Sequence, residues 1–222
     1  QGSGTFAVES MISSLTPKNS EILILINGAY GHRMKKICNY LNRNSIDYTV
    51  EEEKINDLKK IENIIDTNKN LTHILAVYCE TTSGILNPIK DIADLAVKKN
   101  LSLLIDAMSA FGALPLSSKK IKFDALAASS NKCLEGVPGV GFVLVENSVI
   151  KNAQGNCHSL SLDLYDQWHS MELNKQWRFT PPTHVLAAFN QALKEHEREG
   201  GIEGRYKRYS NNCKIICEGM KD

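Results

Sequence analysis

Residues 123–146 read FDALAASSNKCLEGVPGVGFVLVE, and this stretch decides the fold. Asp124 to Ala128 has the small, apolar composition of a short buried strand. Ser129-Ser130-Asn131 then forms a polar turn, Lys132 follows, and a loop carrying Gly136, Gly139 and Gly141 leads into a second apolar strand. A lysine held at a strand end among small side chains is expected to be desolvated, which frees its amine as a nucleophile. The competing reading is a solvated loop lysine, the common condition of that residue type.

Outward from this stretch, apolar runs alternate with helical patterns. Glu21 to Ile26 (EILILI) is continuously apolar, as in a strand buried on both faces. Asn27-Gly28-Ala29-Tyr30-Gly31 breaks it before a helix to about Leu41. Further strands are expected at Asp47–Glu52, Thr72–Tyr78 and Leu101–Ile105, and further helices at Ile55–Ile65 and from Pro88 to Lys99. The Cys79–Gly84 segment closes the third strand as a turn. The alternation implies βα units and an α/β fold with a mostly parallel central sheet flanked by helices. In such sheets functional loops lie at the carboxyl ends of the strands. Tyr30, Thr81, Asp106 and Lys132 each follow a strand. Upstream, Gln1-Gly2-Ser3-Gly4-Thr5 opens a helix with Phe6, Met11, Ile12 and Leu15 at helical spacing, and its backbone N–H groups suit a phosphate. A polar strand end such as Asp106 is expected to lie outside the core.

Beyond Glu146 the pattern weakens. Residues 147–161 are polar and expected to form a loop, 162–170 a short amphipathic helix, and 176–183 (QWRFTPPT) an extended segment, because prolines move their predecessors out of helix. Helices are expected at Val185–Arg198 and Ile202–Met220, separated by Gly200-Gly201, with Arg205, Lys207 and Arg208 on a solvated face.

The chain has 222 residues and a net charge of +1, so no strong field favours nucleic acid or an anionic membrane. No apolar run has transmembrane length. Six scattered cysteines without CxxC spacing point to free thiols of a cytoplasmic protein, and the six histidines show no metal-site spacing. The absence of an initiator Met suggests a chain that begins inside a longer one.

The motifs QGSGTFAVE, NGAYGHRM, CETTSGILNPI, IDAMSAFGALP, ASSNKCLEGVPGVGFV and QWRFTPPTHV together resemble the class V aminotransferases, pyridoxal-phosphate enzymes of the aspartate-aminotransferase fold. Within them the resemblance is to the branch acting on 2-aminoethylphosphonate and pyruvate. It implies a Schiff base on Lys132 and pyridoxal 5'-phosphate as cofactor. Asp106 would face the pyridine nitrogen, Tyr30 stack on the ring and Thr81 donate to its phenolic oxygen. Gly4, Thr5 and Asn131 would lie at the phosphate. The resemblance further implies a homodimer in which Thr180 reaches the neighbouring subunit's phosphate; Thr183 is the alternative. Residues 1–199 would form the cofactor-binding large domain and 200–222 the start of a small domain, with a substrate-gripping arginine beyond residue 222. From residue types alone, Asp106 and Thr81 are equally turn formers, and Tyr30 a tyrosine at the core edge. An alanine–glyoxylate or serine–glyoxylate specificity and a cofactor-binding fragment are the other functional readings.

Overall fold

The computed structural model describes residues 2–221; Gln1 of the opening loop and Asp222 lie outside them. In chain order the elements are α1 (Gly4–Leu15), β1 (Glu21–Ile26), α2 (Ala29–Tyr40), β2 (Asn44–Thr49), α3 (Leu58–Thr67), β3 (Leu71–Val77), β4 (Cys79–Glu80) and β5 (Ile85–Leu86). They continue with α4 (Ile89–Lys98), β6 (Ser102–Asp106), β7 (Ala125–Ser129), β8 (Gly141–Val145), α5 (Asn147–Lys151), α6 (Leu164–Asn174), α7 (Thr183–Arg198) and α8 (Gly201–Gly219). Six strands make one sheet in the order β2-β1-β3-β6-β7-β8. All neighbours are parallel except β8, which runs antiparallel to β7.

The apolar runs explain the layers. Side chains alternate across a strand, so a strand apolar at every position feeds two cores. In β1, Ile22, Ile24 and Ile26 enter the core under α1 and α2, whereas Leu23 and Leu25 enter the core under α3 and α4. In β7, Ala125 and Ala127 go to the first and Leu126 and Ala128 to the second. Each buried aliphatic side chain contributes about 1.5–3 kcal/mol. Among the described residues no helix is long and apolar enough to cross a membrane, and all six cysteines are free.

The chain moves from β1 to β2 on one side and then to β3 on the other, so a crevice opens between the carboxyl ends of β1 and β3. Two buried amides bridge it: Asn27 Nδ2 donates to Asn87 Oδ1 (2.9 Å) and Asn87 Nδ2 to Asn27 Oδ1 (3.1 Å).

Several boundaries differ from the sequence expectation. The second strand is Asn44–Thr49, not Asp47–Glu52, because register with β1 pairs Glu21 with Asn44 and Ile26 with Thr49. The Cys79–Gly84 turn belongs to a small antiparallel hairpin of β4 and β5. The 147–161 stretch begins with helix α5, where Ile150 and Ala153 join the first core. Arg205 is not solvated: only 2% of it is exposed, because it sits in a network of carboxylates at the α7–α8 junction. Gly200 and Gly201, with φ of 101° and 66°, supply the left-handed backbone that turns the chain between those helices.

The crevice depends on a close approach of α2 to β1. A Cβ on Gly31 would lie 2.9 Å from the Ile26 Cα, a backbone atom that cannot swing aside. Gly31→Ala is therefore expected to lower stability by about 1–3 kcal/mol, read as a lower urea midpoint; an unchanged midpoint would contradict this packing.

Candidate active site

At the carboxyl edge of the sheet a cavity of about 240 Å³ collects residues from four separate parts of the chain. The start of α1 and the residue before it bring Ser3, Gly4 and Thr5. Helix α2 brings Tyr30 and Arg33, β6 and its extension bring Asp106 and Met108, and the end of β7 with the turn after it brings Ser129, Asn131 and Lys132. Six of the eight residues singled out from the sequence thus line one space: Gly4, Thr5, Tyr30, Asp106, Asn131 and Lys132.

Asp106 dominates its electrostatics. Only 3% of the residue is exposed, which corrects the expectation that this strand end lies outside the core. Oδ1 accepts a hydrogen bond from the Met108 N–H (3.0 Å), and Oδ2 receives none among the described residues. Burial pushes the carboxyl up to about 6; the Met108 N–H opposes this, Glu80 adds to it, and Arg33 and Lys132 act against it. A buried acid with one unserved oxygen on a cavity is a receptor for a cationic N–H donor.

Lys132 is exposed at the rim, so the expected desolvation is not provided by this chain. The turn around it is nonetheless tightly held. The Glu135 N–H donates to the Lys132 carbonyl (2.8 Å), the Gly136 N–H to the Ser130 carbonyl (2.7 Å), and Ser130 Oγ to the Val137 carbonyl (2.7 Å).

The third part is the N-terminus of α1. Ser3 makes no side-chain cap and no acidic residue occupies the first turn, so the positive helix end stays open towards the cavity. Gly4 lies close to Met108: a Cβ there would come within 2.5 Å of Met108 Sδ, so the flexible methionine side chain would have to shift.

Two residues escaped the sequence reading. Arg33 lies one helical turn beyond Tyr30, with its guanidinium carbon 4.5 Å from the centre of the Tyr30 ring and Nη1 donating to Thr5 Oγ1 (3.2 Å). The i,i+3 spacing from Tyr30 was the available signal. Glu80 is fully buried beneath the start of α2, accepting from the Tyr30 and Gly31 N–H groups (both 3.4 Å) and from Thr82 Oγ1 (3.0 Å). No local pattern distinguishes it from its neighbours in CETTSG. Gly28 makes room for it, since a Cβ there would overlap the Glu80 side chain.

Thr81 and Thr180 are not among the cavity's lining residues. Thr81 Oγ1 is hydrogen-bonded to Ser109 Oγ (2.6 Å), three residues beyond Asp106. Thr180 and Thr183 are exposed. The preceding Trp177, Arg178 and Phe179 line a second cavity of about 260 Å³ together with Gly2 and Phe6.

A doubly wound sheet with a lysine, a buried aspartate and a glycine-opened helix at its carboxyl edge is the architecture of the type I aminotransferase fold. The comparisons agree: the alanine–glyoxylate aminotransferase of Nostoc sp. superposes with a TM-score of 0.91 at 20% identity, over 100% of this chain and 59% of that one. The ureidoglycine–glyoxylate aminotransferase of Bacillus subtilis gives 0.82 at 22% identity, over 93% and 54%. At such identities the likeness concerns the fold. The model of the aminotransferase class-V family matches residues 1–218, and the chain belongs to that family. It is 48% identical over 220 residues to the 2-aminoethylphosphonate–pyruvate transaminase of Pseudomonas putida strain W619, and 46% identical to that of Pseudomonas aeruginosa strain UCBPP-PA14. It spans 99% of itself but only 60% and 59% of those relatives' lengths.

Class V aminotransferases are pyridoxal-phosphate enzymes, and the cavity suits that group. The unserved Asp106 oxygen matches a protonated pyridine nitrogen, the open helix end a phosphate, and Lys132 an aldehyde.

Left without a cationic partner, ionised Asp106 opposes folding. Its pKa of about 6 in the native chain exceeds the ordinary 3.8. Between those values the native state binds more protons than the unfolded one, so stability falls as pH rises through this window and levels off above it. The difference corresponds to about 3 kcal/mol. Asp106→Asn is accordingly expected to match the parent near pH 4 and to exceed it by up to about 3 kcal/mol at pH 8 without cofactor. Urea titrations across this range check it; a variant no more stable than the parent at pH 8 would contradict it.

Proposed function

We propose that this chain carries the cofactor-binding machinery of a pyridoxal-phosphate-dependent transaminase that moves the amino group of 2-aminoethylphosphonate to pyruvate, giving phosphonoacetaldehyde and alanine. The observation that carries the reading is the convergence of Lys132, buried Asp106 and the open end of α1 on one cavity. The identity to relatives of that name supports the substrate. Residues 1–199 are assigned to the large domain and 200–222 to the start of a second, and the enzyme is taken to act in the cytoplasm.

When bound, pyridoxal 5'-phosphate supplies the aldehyde that takes up the amino group and a conjugated ring that withdraws electrons. The residues around it have separable tasks. Lys132 Nζ would be the amine that meets the aldehyde and the base that moves the proton at the amine-bearing carbon. Asp106 would accept from a protonated pyridine nitrogen. Tyr30 would lie against the ring, Thr81, whose hydroxyl is hydrogen-bonded to Ser109, would serve the phenolic oxygen, and Gly4, Thr5 and Asn131 would receive the phosphate. Arg33 has no carboxylate partner among the described residues, which adds positive potential for a dianionic group.

Thr180 is assigned to the phosphate of a second copy. Its exposure and its absence from the lining of the chain's own cavity fit a role in trans, and the bulky Trp177 and Phe179 beside it suit an interface. A phosphate shared in this way couples assembly to cofactor affinity.

With 2-aminoethylphosphonate, serine and alanine compared as donors at equal concentration, the first is expected to turn over at least about tenfold faster, the lower end of what pocket contacts discriminate. Equal or faster turnover of serine would overturn the assignment. Thr180→Val is expected to weaken cofactor binding by about 1–2 kcal/mol and to raise the dimer dissociation constant measured by sedimentation with cofactor present. Tight cofactor binding by a chain that stays monomeric would exclude the shared site.

A further inference from the structure

The turn that carries Lys132 is gripped from the far end of the chain. Arg205, in the second turn of α8, is 2% exposed and donates through Nη1 to the Cys133 carbonyl, one residue past Lys132. The same nitrogen lies 3.4 Å from Glu135 Oε2, and Nε donates to Glu199 Oε2 (2.6 Å) at the end of α7. Arg208 bridges the same two acids, through Nη2 to Glu135 (2.8 Å) and Nε to Glu199 (2.6 Å), and the Tyr209 hydroxyl donates to Glu135 Oε1 (2.8 Å). Glu135 itself has φ of 57°, a left-handed backbone unfavourable for a residue with a Cβ. The turn's own hydrogen bonds hold it there from within, and α8 holds it from outside.

The acids respond as members of a working network. Hydrogen bonds from Arg208 and Arg205 hold the Glu199 carboxyl down at about 2. Burial would raise Glu135, but the bonds from Arg208 and Tyr209 keep it low. A buried arginine joined to a backbone carbonyl and two carboxylates is costly to disturb and geometrically exact in what it holds. Of its partners, the Cys133 carbonyl is the one that belongs to the lysine turn's own backbone.

We propose that Arg205 is a positioning residue for Lys132: by fixing the 133–135 backbone from α8, it sets where the amine stands relative to the cavity. This rests on the function proposed above for Lys132. It also gives α8 a route to the reactive amine, since any displacement of that helix moves Arg205 and with it the turn.

The test compares Arg205→Gln, Arg205→Lys and Arg208→Gln in the full chain. Three readouts are followed: the rate at which pyridoxal 5'-phosphate forms a borohydride-trappable adduct on Lys132, the affinity for pyridoxamine 5'-phosphate, which needs no lysine, and amide exchange at Glu135 and Gly136. For Arg205→Gln we expect about tenfold slower adduct formation, the scale of a small misplacement, with faster exchange at both amides and pyridoxamine 5'-phosphate affinity within about twofold of the parent. Arg205→Lys, still able to reach the carbonyl, restores most of the rate; Arg208→Gln, which touches no backbone of the turn, changes it little. If Arg205→Gln does not fold, Arg205→Met, which fills similar space with no donor for the Cys133 carbonyl, carries the same comparison. Unchanged adduct rate and exchange, or equal losses in adduct rate and pyridoxamine 5'-phosphate affinity, would overturn the proposal. No trapped adduct in the parent chain would defeat the functional reading instead, while amide exchange would still decide whether Arg205 holds the turn.

Discussion

A carboxylate buried at the end of β6 with a single hydrogen bond is the constraint on which the rest of the site depends. Asp106 is only 3% exposed there, and burial displaces it towards the neutral acid. An arrangement of this kind is unfavourable for the isolated chain and favourable only when a cation occupies the space beside it. The instability is local and is tolerated because β6 sits in the middle of the sheet, flanked by β3 and β7 and packed into both cores.

The surrounding residues are organised to keep that carboxylate fixed and its neighbour positions filled. Met108 donates to it through its backbone N–H and packs its side chain near Gly4, so the helix end that suits a phosphate and the acid that suits a ring nitrogen meet at one residue. Glu80, fully buried, binds the first N–H groups of α2 and thereby places Tyr30. On the remaining side the lysine turn is tied to α8 through Arg205. Three loops that are remote in sequence are thus joined by single contacts, each involving a residue whose replacement leaves a buried polar group or a clash.

Much of this was legible in the sequence, for a physical reason. Strands buried on both faces must be apolar throughout, so EILILI and LSLLI announced β1 and β6. Once parallel strands were inferred, their carboxyl ends had to share an edge, which brought Tyr30, Asp106 and Lys132 together before any coordinates. The edge strand β2 was displaced in the reading because its one buried residue, Tyr48, leaves no periodic signal to fix register. Arg205 was read as solvated because its burial is decided by residues about seventy positions away, and an arginine on a charged helix carries no local mark of that. Asp106 was recognised by its motif, yet its depth depends on how α1 and α2 close over the strand end. The same holds for Glu80, whose backbone donors Tyr30 and Gly31 belong to a different strand end.

The central claim is that Asp106 is a receptor for a protonated ring nitrogen. Its most direct test is NMR of pyridoxal 5'-phosphate labelled at the ring nitrogen and bound to the chain at pH 8. The account predicts a shift characteristic of a protonated pyridine, because the buried carboxylate is stabilised only beside that proton. A ring nitrogen that is unprotonated in the bound state would contradict it.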